Sequence, residues 1–464
     1  MTVQESLPAE RLRALCGGAV HLPGDPSYDM ARTPWNLLAA DHPAAVAYPA
    51  FPDEVAEVLR AASSIGLRVA AQGTGHGAPP LLGRLADAVL LRTSAMNDLT
   101  VDAERGIARV GAGVLWGDLT RVAGAHGLAA LHPSSAGVGV AGYSIGGGIG
   151  WYARAHGLQC NALTAVELVL ADGTFVRATE DSDPDLFWAV RGGGTPLGVV
   201  CALEFRLFPL DTVVAGHLAW DANAVETVLP AWVEWCADAP DEATTAFRVL
   251  DVPDDDTMPA DVRGRRLVII DGAVLGDDDT AARILAPLRA LRPDIDTITR
   301  VEAASLVHLH LDPEGPTPAY ASSTLVADLP GAAVDAVIAA VGPDSGTSLA
   351  VAELRQLGGA LGRPAPRSGI LSSLDGRVLA LGLGLDSLTG DWERQRADAA
   401  RFLSAVKPWA TGRTYLPMLD TSVDTRKAFA PQVHARLSAI RRSVDPDGLF
   451  MPPHPSPAQT GDPA

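Results

Sequence analysis

Apolar and polar positions follow two textures along this chain, and the change between them falls near residue 210. Before that point short strand patterns alternate with helices and glycine turns. Residues 45–48 predict a strand, and Pro52, Asp53 and Glu54 open an amphipathic helix over 55–65 with acids in its first turn. Residues 67–71 predict a buried strand, followed at once by the glycine turn Gly73-Thr74-Gly75-His76-Gly77. Strand, helix, strand and glycine turn make an α/β opening. Residues 10–16 predict a helix stopped by Gly17 and Gly18, and 23–26 a turn. Further strands are predicted at 88–92 and 107–111, and a helix at 115–126. Residues 166–170 and 175–178 predict a hairpin turning at Asp172-Gly173, a strong turn signal. A short helix at 186–190 stops at Gly192 to Gly194, and 199–207 alternates as a long strand.

Beyond residue 212 glycine thins and longer helical patterns appear at 224–237, 279–291 and 332–340, with strands at 267–270 and 379–385 and a short element over 352–361. A helix over 391–406 stops before Pro408 and leads to Tyr415-Leu416-Pro417-Met418; another is predicted over 425–442. The tail after Pro452, rich in proline and polar residues, predicts disorder. These textures predict a first domain over 1–210, a second of sheet plus helices over 211–410, a returning segment over 411–453 and a disordered tail over 454–464.

Within the first texture lie residues 138–151, with many glycines and no charge. Glycine costs conformational entropy, so such a cluster implies close backbone approach or φ values that other residues avoid. Flexible linkers are polar, whereas this stretch interleaves Val, Ile, Tyr and Trp, so the expectation is an ordered loop buried against a ligand, with N–H groups suited to phosphate. It does not fit the dinucleotide fingerprint. Gly142-Tyr143-Ser144-Ile145-Gly146 has the letters of a hydrolase nucleophile turn, but the expectation is more glycine loop, not the helix that turn requires. There is no Gly-x-x-x-x-Gly-Lys motif.

At 464 residues the chain has room for about two to three domains. The net charge of −19 disfavours nucleic acid and anionic membrane surfaces as partners. Cys16, Cys160, Cys201 and Cys236 are scattered without metal or disulfide spacing, and no signal peptide or membrane-spanning stretch is evident, so a soluble cytoplasmic protein is expected.

Four segments together carry a resemblance. Strand residues lead into Gln72-Gly73-Thr74-Gly75-His76; residues 138–158 run from Val138-Gly139 through Gly146-Gly147-Gly148 to Trp151, Arg154, Gly157 and Leu158; Asp185 to Gly194 precedes Gly198-Val199-Val200; and Asp445-Pro446 leads to Phe450. In these the sequence resembles the berberine-bridge-enzyme-like FAD-linked oxidases, which share the FAD-binding fold of vanillyl-alcohol oxidase and p-cresol methylhydroxylase (PCMH). The resemblance implies an α+β fold: a two-part PCMH-type FAD-binding domain, its core over about 42–210, plus a substrate domain whose antiparallel sheet is covered by helices.

It also implies FAD as cofactor, bonded through His76 to the flavin 8α-methyl. Ser135 stands about where some relatives have a second, cysteinyl link, so one covalent bond is expected. The implied cofactor contacts are Gln72, Gly73, Thr74, Gly75, His76, Gly77, Ser135, Val138, Gly139, Gly142, Tyr143, Gly146, Gly147, Gly148, Gly157, Asn161, Val200 and Tyr415. Asn161-Ala162, where relatives have Asp-Asn, and Pro417-Met418 depart from the pattern. Val138 resembles a position that admits oxygen in family oxidases.

A flavin oxidase needs the protein for position, oxygen access and, for an alcohol, a base. Tyr415 is the candidate base, provided that a cation lowers its pKa. His308 and His310 alternate as on one strand face but lack a third metal ligand; no metal is expected. Glu353, Arg355 and Gln356 read as a solvated charged face. The expected activity is removal of hydride from a C–H beside O or N of a small molecule such as a secondary metabolite, sugar or amine. Oxygen then takes the electrons to give peroxide, in a monomer or homodimer. The alternatives are a dehydrogenase with another acceptor, a catalytically silent flavin-fold binding protein, or a flavin-free metal binder through His308 and His310.

Overall fold

The computed structural model describes residues 8–254, 256, 262–385 and 390–455. Strands β1 (Val20–His21), β2 (Ala45–Ala47), β3 (Arg68–Gln72) and β4 (Ala88–Arg92) form a sheet in the order β1-β2-β4-β3, parallel except at β1. Helix α1 (Pro52–Ser64) makes the crossover from β2 to β3, with Pro in its first turn and Val55, Val58, Leu59 and Ala62 buried. The strands are apolar on both faces because both are covered. Ala45, Ala47, Val69 and Leu91 pack in the cluster that contains the buried face of α1, whereas Val46, Ala70 and Leu90 pack with Tyr28 and Leu85.

A second, antiparallel sheet joins β5 (Leu99–Asp102), β6 (Ile107–Gly111), β7 (Leu163–Val169), β8 (Phe175–Ala178) and β9 (Val199–Arg206) in the order β5-β6-β9-β7-β8. Helix α2 (Trp116–Gly124) lies beside it, the ring of fully buried Trp116 tilted 6.1 Å from Phe205 and edge-on to Tyr143.

The third sheet is built mainly from β10 (Thr212–Asp221), β11 (Ala243–Asp251), β12 (Arg266–Val274), β13 (Ala319–Val326), β14 (Val351–Gln356) and β15 (Val378–Leu385), paired antiparallel as β10-β12-β11-β14-β15-β13. Strand periodicity decides what its faces meet. Trp220, Phe247, Ile270, Leu354 and Ala380 pack with Val228, Trp232, Leu285, Val337 and Phe402. Those partners come from helices α6 (Val225–Asp238), α7 (Asp278–Arg289), α8 (Gly331–Val341) and α9 (Trp392–Val406). Each Val, Leu, Ile or Phe buried there contributes about 1.5–3 kcal/mol. On the opposite face Leu325, Leu379 and Leu381 pack against Ile149, Ala153, Leu158 and Tyr415, joining this sheet to the glycine-rich run.

The chain end returns to the first sheet. Helix α10 (Pro431–Val444) is followed by Asp445, whose carboxylate accepts the N–H groups of Leu449 and Phe450. That turn brings Leu449 and Met451 onto the backbone of Val69.

Several expectations need correction. Residues 10–16 are not one helix but short 3-10 turns at Pro8–Leu12 and Cys16–Gly18, Cys16 and Gly17 having positive φ. The helix expected over 425–442 is a 3-10 turn, Thr425–Lys427, and then α10, restarted by Pro431, which favours a first helical turn. The tail is packed as far as Pro455: His454 is buried and the Pro453 carbonyl accepts from Ser422; residues 456–464 lie outside those described. Strands β5, β10, β11 and β13 have no counterpart among the expected elements.

Candidate functional site

Two constellations come together from these elements. The first starts where β3 ends. Arg92 Nη1 on β4 donates to the Gln72 side chain, and Gly73 and Thr74 then line a cleft of about 550 Å³ with Arg92, Gly113, Arg121 and Gly139. Arg92 beside glycine-rich turns fits a phosphorylated ligand, while Arg121 shares the lining with Asp118, its ion-pair partner at 3.6 Å.

Beyond Thr74 the turn is held from one side. Trp35 N–H donates to the Thr74 carbonyl at 2.8 Å, and Pro34 lies so close to Gly75 that a Cβ there would sit 2.5 Å from it. With φ of +91°, Gly75 is the residue this turn requires. The His76 imidazole stacks on the Trp35 indole at 4.0 Å and 14°. Its Nδ1 lies 2.7 Å from Thr74 Oγ1, whereas Nε2 is buried without a hydrogen-bond partner. Burial lowers the imidazole pKa to about 4, so the ring is neutral and nucleophilic at neutral pH. An orphaned buried nitrogen marks a missing partner, and a flavin held in the adjoining cleft fits that requirement.

The second constellation surrounds the glycine-rich run. Residues Val140–Gly146 form helix α3, contrary to the expected continuous loop; Gly139 sits at its start and Gly147 ends it. Ser144 is fully buried in mid-helix, which rules out the exposed strand-to-helix serine of a hydrolase. A Cβ on Gly148 would lie 2.6 Å from the Tyr143 ring, and one on Gly147 2.8 Å from the Tyr415 hydroxyl. These glycines seat two tyrosines against the backbone. Tyr415 OH accepts the Gly148 N–H at 2.9 Å, while Tyr143 OH is buried without a partner.

Burial raises the Tyr415 pKa, and the neighbouring Arg355 does not offset it. Desolvation thus works against the cation-activated phenolate expected at Tyr415.

Facing these tyrosines, the third sheet carries a row of charge. Arg248 on β11 stands directly across from Glu353 on β14, and Asp271 lies on neighbouring β12. Asp271 pairs with Arg248, and its Oδ2 is 3.4 Å from His310 Nε2; Arg355 Nε donates to Glu353 at 2.6 Å. The side chains of Arg248, Asp271, His310 and Glu353 are all under one-tenth exposed. Burial pushes Asp271 upward, but Arg248 and His310 outweigh it and hold the carboxyl at about 2. Glu353 is likewise lowered, Arg355 overriding burial. The solvated face expected for Glu353, Arg355 and Gln356 is thus a correction: alternation was read rightly, but both faces are covered.

His308 and His310 share no strand face. Ala303–His308 is a 3-10 turn, fixed where the Ala303 carbonyl accepts from Tyr152; His308 is exposed, whereas His310 is buried edge-on to Trp151. No group of three His, Cys, Asp or Glu among the described residues is placed to hold a metal.

The remaining implied contacts divide. Val138 joins Trp116 through its carbonyl, Ser135 is half-buried one turn earlier, and Val200 stands on β9 beside Cys201, whose carbonyl accepts from cleft residue Ala112. Gly142 and Gly77 are exposed, with open space where a Cβ would be. Gly146 packs near Pro417. Asn161 has both side-chain groups bonded to the 369–371 loop, and Gly157 has the φ of +83° that ends a short helix, Ala153–His156. Arg154 is buried, its guanidinium donating to the Ala239, Ala243 and Leu357 carbonyls. Trp35, Arg92, Arg121, Arg248 and Asp271 were not anticipated. Isolated in sequence, they gave no pattern to read.

Residues 43–179 match the model of an FAD binding domain. The chain is 32% identical over 213 residues to (R)-6-hydroxynicotine oxidase of Paenarthrobacter nicotinovorans, covering 45% of this chain and 46% of that protein. It is also 32% identical over 205 residues to xylooligosaccharide oxidase of Thermothelomyces thermophilus, covering 43% and 41%. These matches span less than half the length of those curated relatives. Among solved structures, wild-type Physcomitrella patens BBE-like 1 aligns with TM-score 0.84 at 22% identity over 97% of this chain and 99% of that one. The 6-hydroxy-D-nicotine oxidase of Arthrobacter nicotinovorans aligns with TM-score 0.80 at 25% identity over 93% and 96%. No helix among the described residues is long and apolar enough to cross a membrane.

Proposed function

From the premise that this chain carries an FAD-binding domain within the fold of the berberine-bridge-enzyme-like flavoproteins, we propose that it is an FAD-dependent oxidase. It removes hydride from a C–H beside oxygen or nitrogen of a small polar substrate, and dioxygen takes the electrons to give peroxide. The observation that carries this reading is the buried charged row facing Tyr143 and Tyr415: Asp271 is ion-paired through Oδ2 with Arg248 and His310, whereas Arg248 Nε, Asp271 Oδ1 and Tyr143 OH are buried without hydrogen-bond partners. Clustered orphan polar atoms await a ligand.

FAD, when bound, supplies the hydride acceptor. Gly73, Thr74, Arg92, Arg121 and Gly139 would hold its phosphates, and His76 would anchor its ring covalently. In this reading the first two sheets, together with the 411–453 return, form the FAD part, and the third forms the substrate part. Arg355 and Glu353 orient the substrate by hydrogen bonds in a water-poor site. In this reading His310, whose Nε2 lies 3.4 Å from Asp271 Oδ2, is the group that takes a hydroxyl proton.

The test is anaerobic mixing of purified protein with alcohols, sugars and amines. Bleaching of the flavin, followed by recovery and stoichiometric peroxide in air, supports the oxidase. Bleaching that recovers only with another acceptor indicates the dehydrogenase, and no bleaching by any compound counts against both.

A further inference from the structure

The segment before β2 is pinned from two sides. Trp35 N–H donates to Thr74 in the His76 turn, and the Trp35 carbonyl accepts from Thr317 N–H at 2.9 Å. Buried Asn36 exchanges bonds with Ala319, its Nδ2 donating at 2.8 Å to the carbonyl and its Oδ1 accepting the N–H at 3.3 Å. Pro34 fills the space beside Gly75. A strap so fixed presents one indole face, and His76 lies flat on it at 14°. The stacked imidazole keeps Nε2 buried without a hydrogen-bond partner.

We propose that Trp35 is a positioning residue for covalent flavin attachment: its indole holds the His76 imidazole in the plane from which a ring nitrogen bonds the 8α carbon. This rests on the reading of His76 as the attachment residue. The bond formed is imidazole N–C8α, and the bond broken is C8α–H. That proton and the imidazole N–H proton are lost, the electron pair reduces the flavin itself, and dioxygen accepts the pair to give hydrogen peroxide. Orientation of a nucleophile at a fixed site governs such a rate.

The experiment uses full-length protein produced under flavin starvation and then given FAD. The flavin remaining on acid-denatured polypeptide is measured against time, beside total bound flavin, for wild type, Trp35→Met and Trp35→Phe. Met fills volume without a flat face, and Phe restores the face. The expected result is normal FAD binding in all three, attachment at least about tenfold slower in Trp35→Met, and a rate near wild type in Trp35→Phe. Attachment in Trp35→Met as fast as wild type overturns the proposal while leaving the His76 link intact, as does Trp35→Phe as slow as Trp35→Met. Wild-type flavin that is wholly released by acid overturns both.

Discussion

Replacing Asp271 by Asn tests whether the charged row is buried and coupled. The Asp271 side chain is fully buried, and that of its partner Arg248 is 7% exposed. Although burial pushes the Asp271 carboxyl up, Arg248 and His310 outweigh it and hold it below its usual value, so the ionised row stabilises the folded chain at neutral pH. Because the folded pKa is depressed, that stabilisation is present above the unfolded value and is lost as pH falls from about 4 to about 2. Asn also strands the Arg248 charge in a covered sheet, for which the usual cost is about 3–5 kcal/mol. Urea unfolding followed by tryptophan fluorescence reads this sheet, since Trp232 is fully buried on its helix-covered face and donates to Thr245. Asp271→Asn should lower the apparent unfolding free energy by about 3–5 kcal/mol, and adding Arg248→Met should recover part of it. A single-variant loss below about 0.5 kcal/mol, the scale of an exposed pair, would refute the burial argument; so would a double variant that loses the sum of both single losses.

Other outcomes follow from the same geometry. Gly148→Ala, at φ +83° with its Cβ 2.6 Å from the Tyr143 ring, should cost about 1–3 kcal/mol and weaken flavin binding, whereas Gly142→Ala, in open space, should leave melting temperature and flavin content unchanged. Tyr415→Phe leaves the Gly148 N–H unpaired and should cost about 1–3 kcal/mol in urea unfolding, yet keep the flavin. His132 is buried and neutral, its pKa lowered by burial to about 4; its stabilisation is complete above the unfolded value near 6.5 and is lost as pH falls to about 4, so His132→Gln should flatten the acid limb of a pH–stability curve. Once a reducing alcohol is found, His310→Gln should slow flavin bleaching by about 10²-fold or more with little effect on bleaching by an amine, and equal slowing of both would remove His310 as proton acceptor.

Much of this fold is legible in the sequence because local signals agree with tertiary packing. Pro52, the acids after it and the apolar face of α1 mark the observed helix, whose end lies within a residue of the expected one, and Asp172-Gly173 marks a real hairpin. The His76 turn is legible for a different reason: a glycine at φ +91° beside a histidine reflects a local backbone demand. The charged row is not legible. Glu353 and Arg355 alternate with apolar residues as a solvated strand face does, and only the packing of a second sheet-and-loop layer over that face buries them. Leu306 to Leu311 alternates like a strand yet is a 3-10 turn followed by an irregular segment, held by distant bonds from Tyr152 and Asp211. Trp35 gives no pattern at all, since its partner lies across the fold.

The most direct measurement of the central claim is acid denaturation of purified wild type and His76→Ala, with flavin fluorescence followed in polypeptide and supernatant. The account predicts flavin on the wild-type polypeptide and in the His76→Ala supernatant. Flavin freed from both would contradict the His76 link, and a wild-type protein that takes up no flavin after refolding with FAD would contradict the account as a whole.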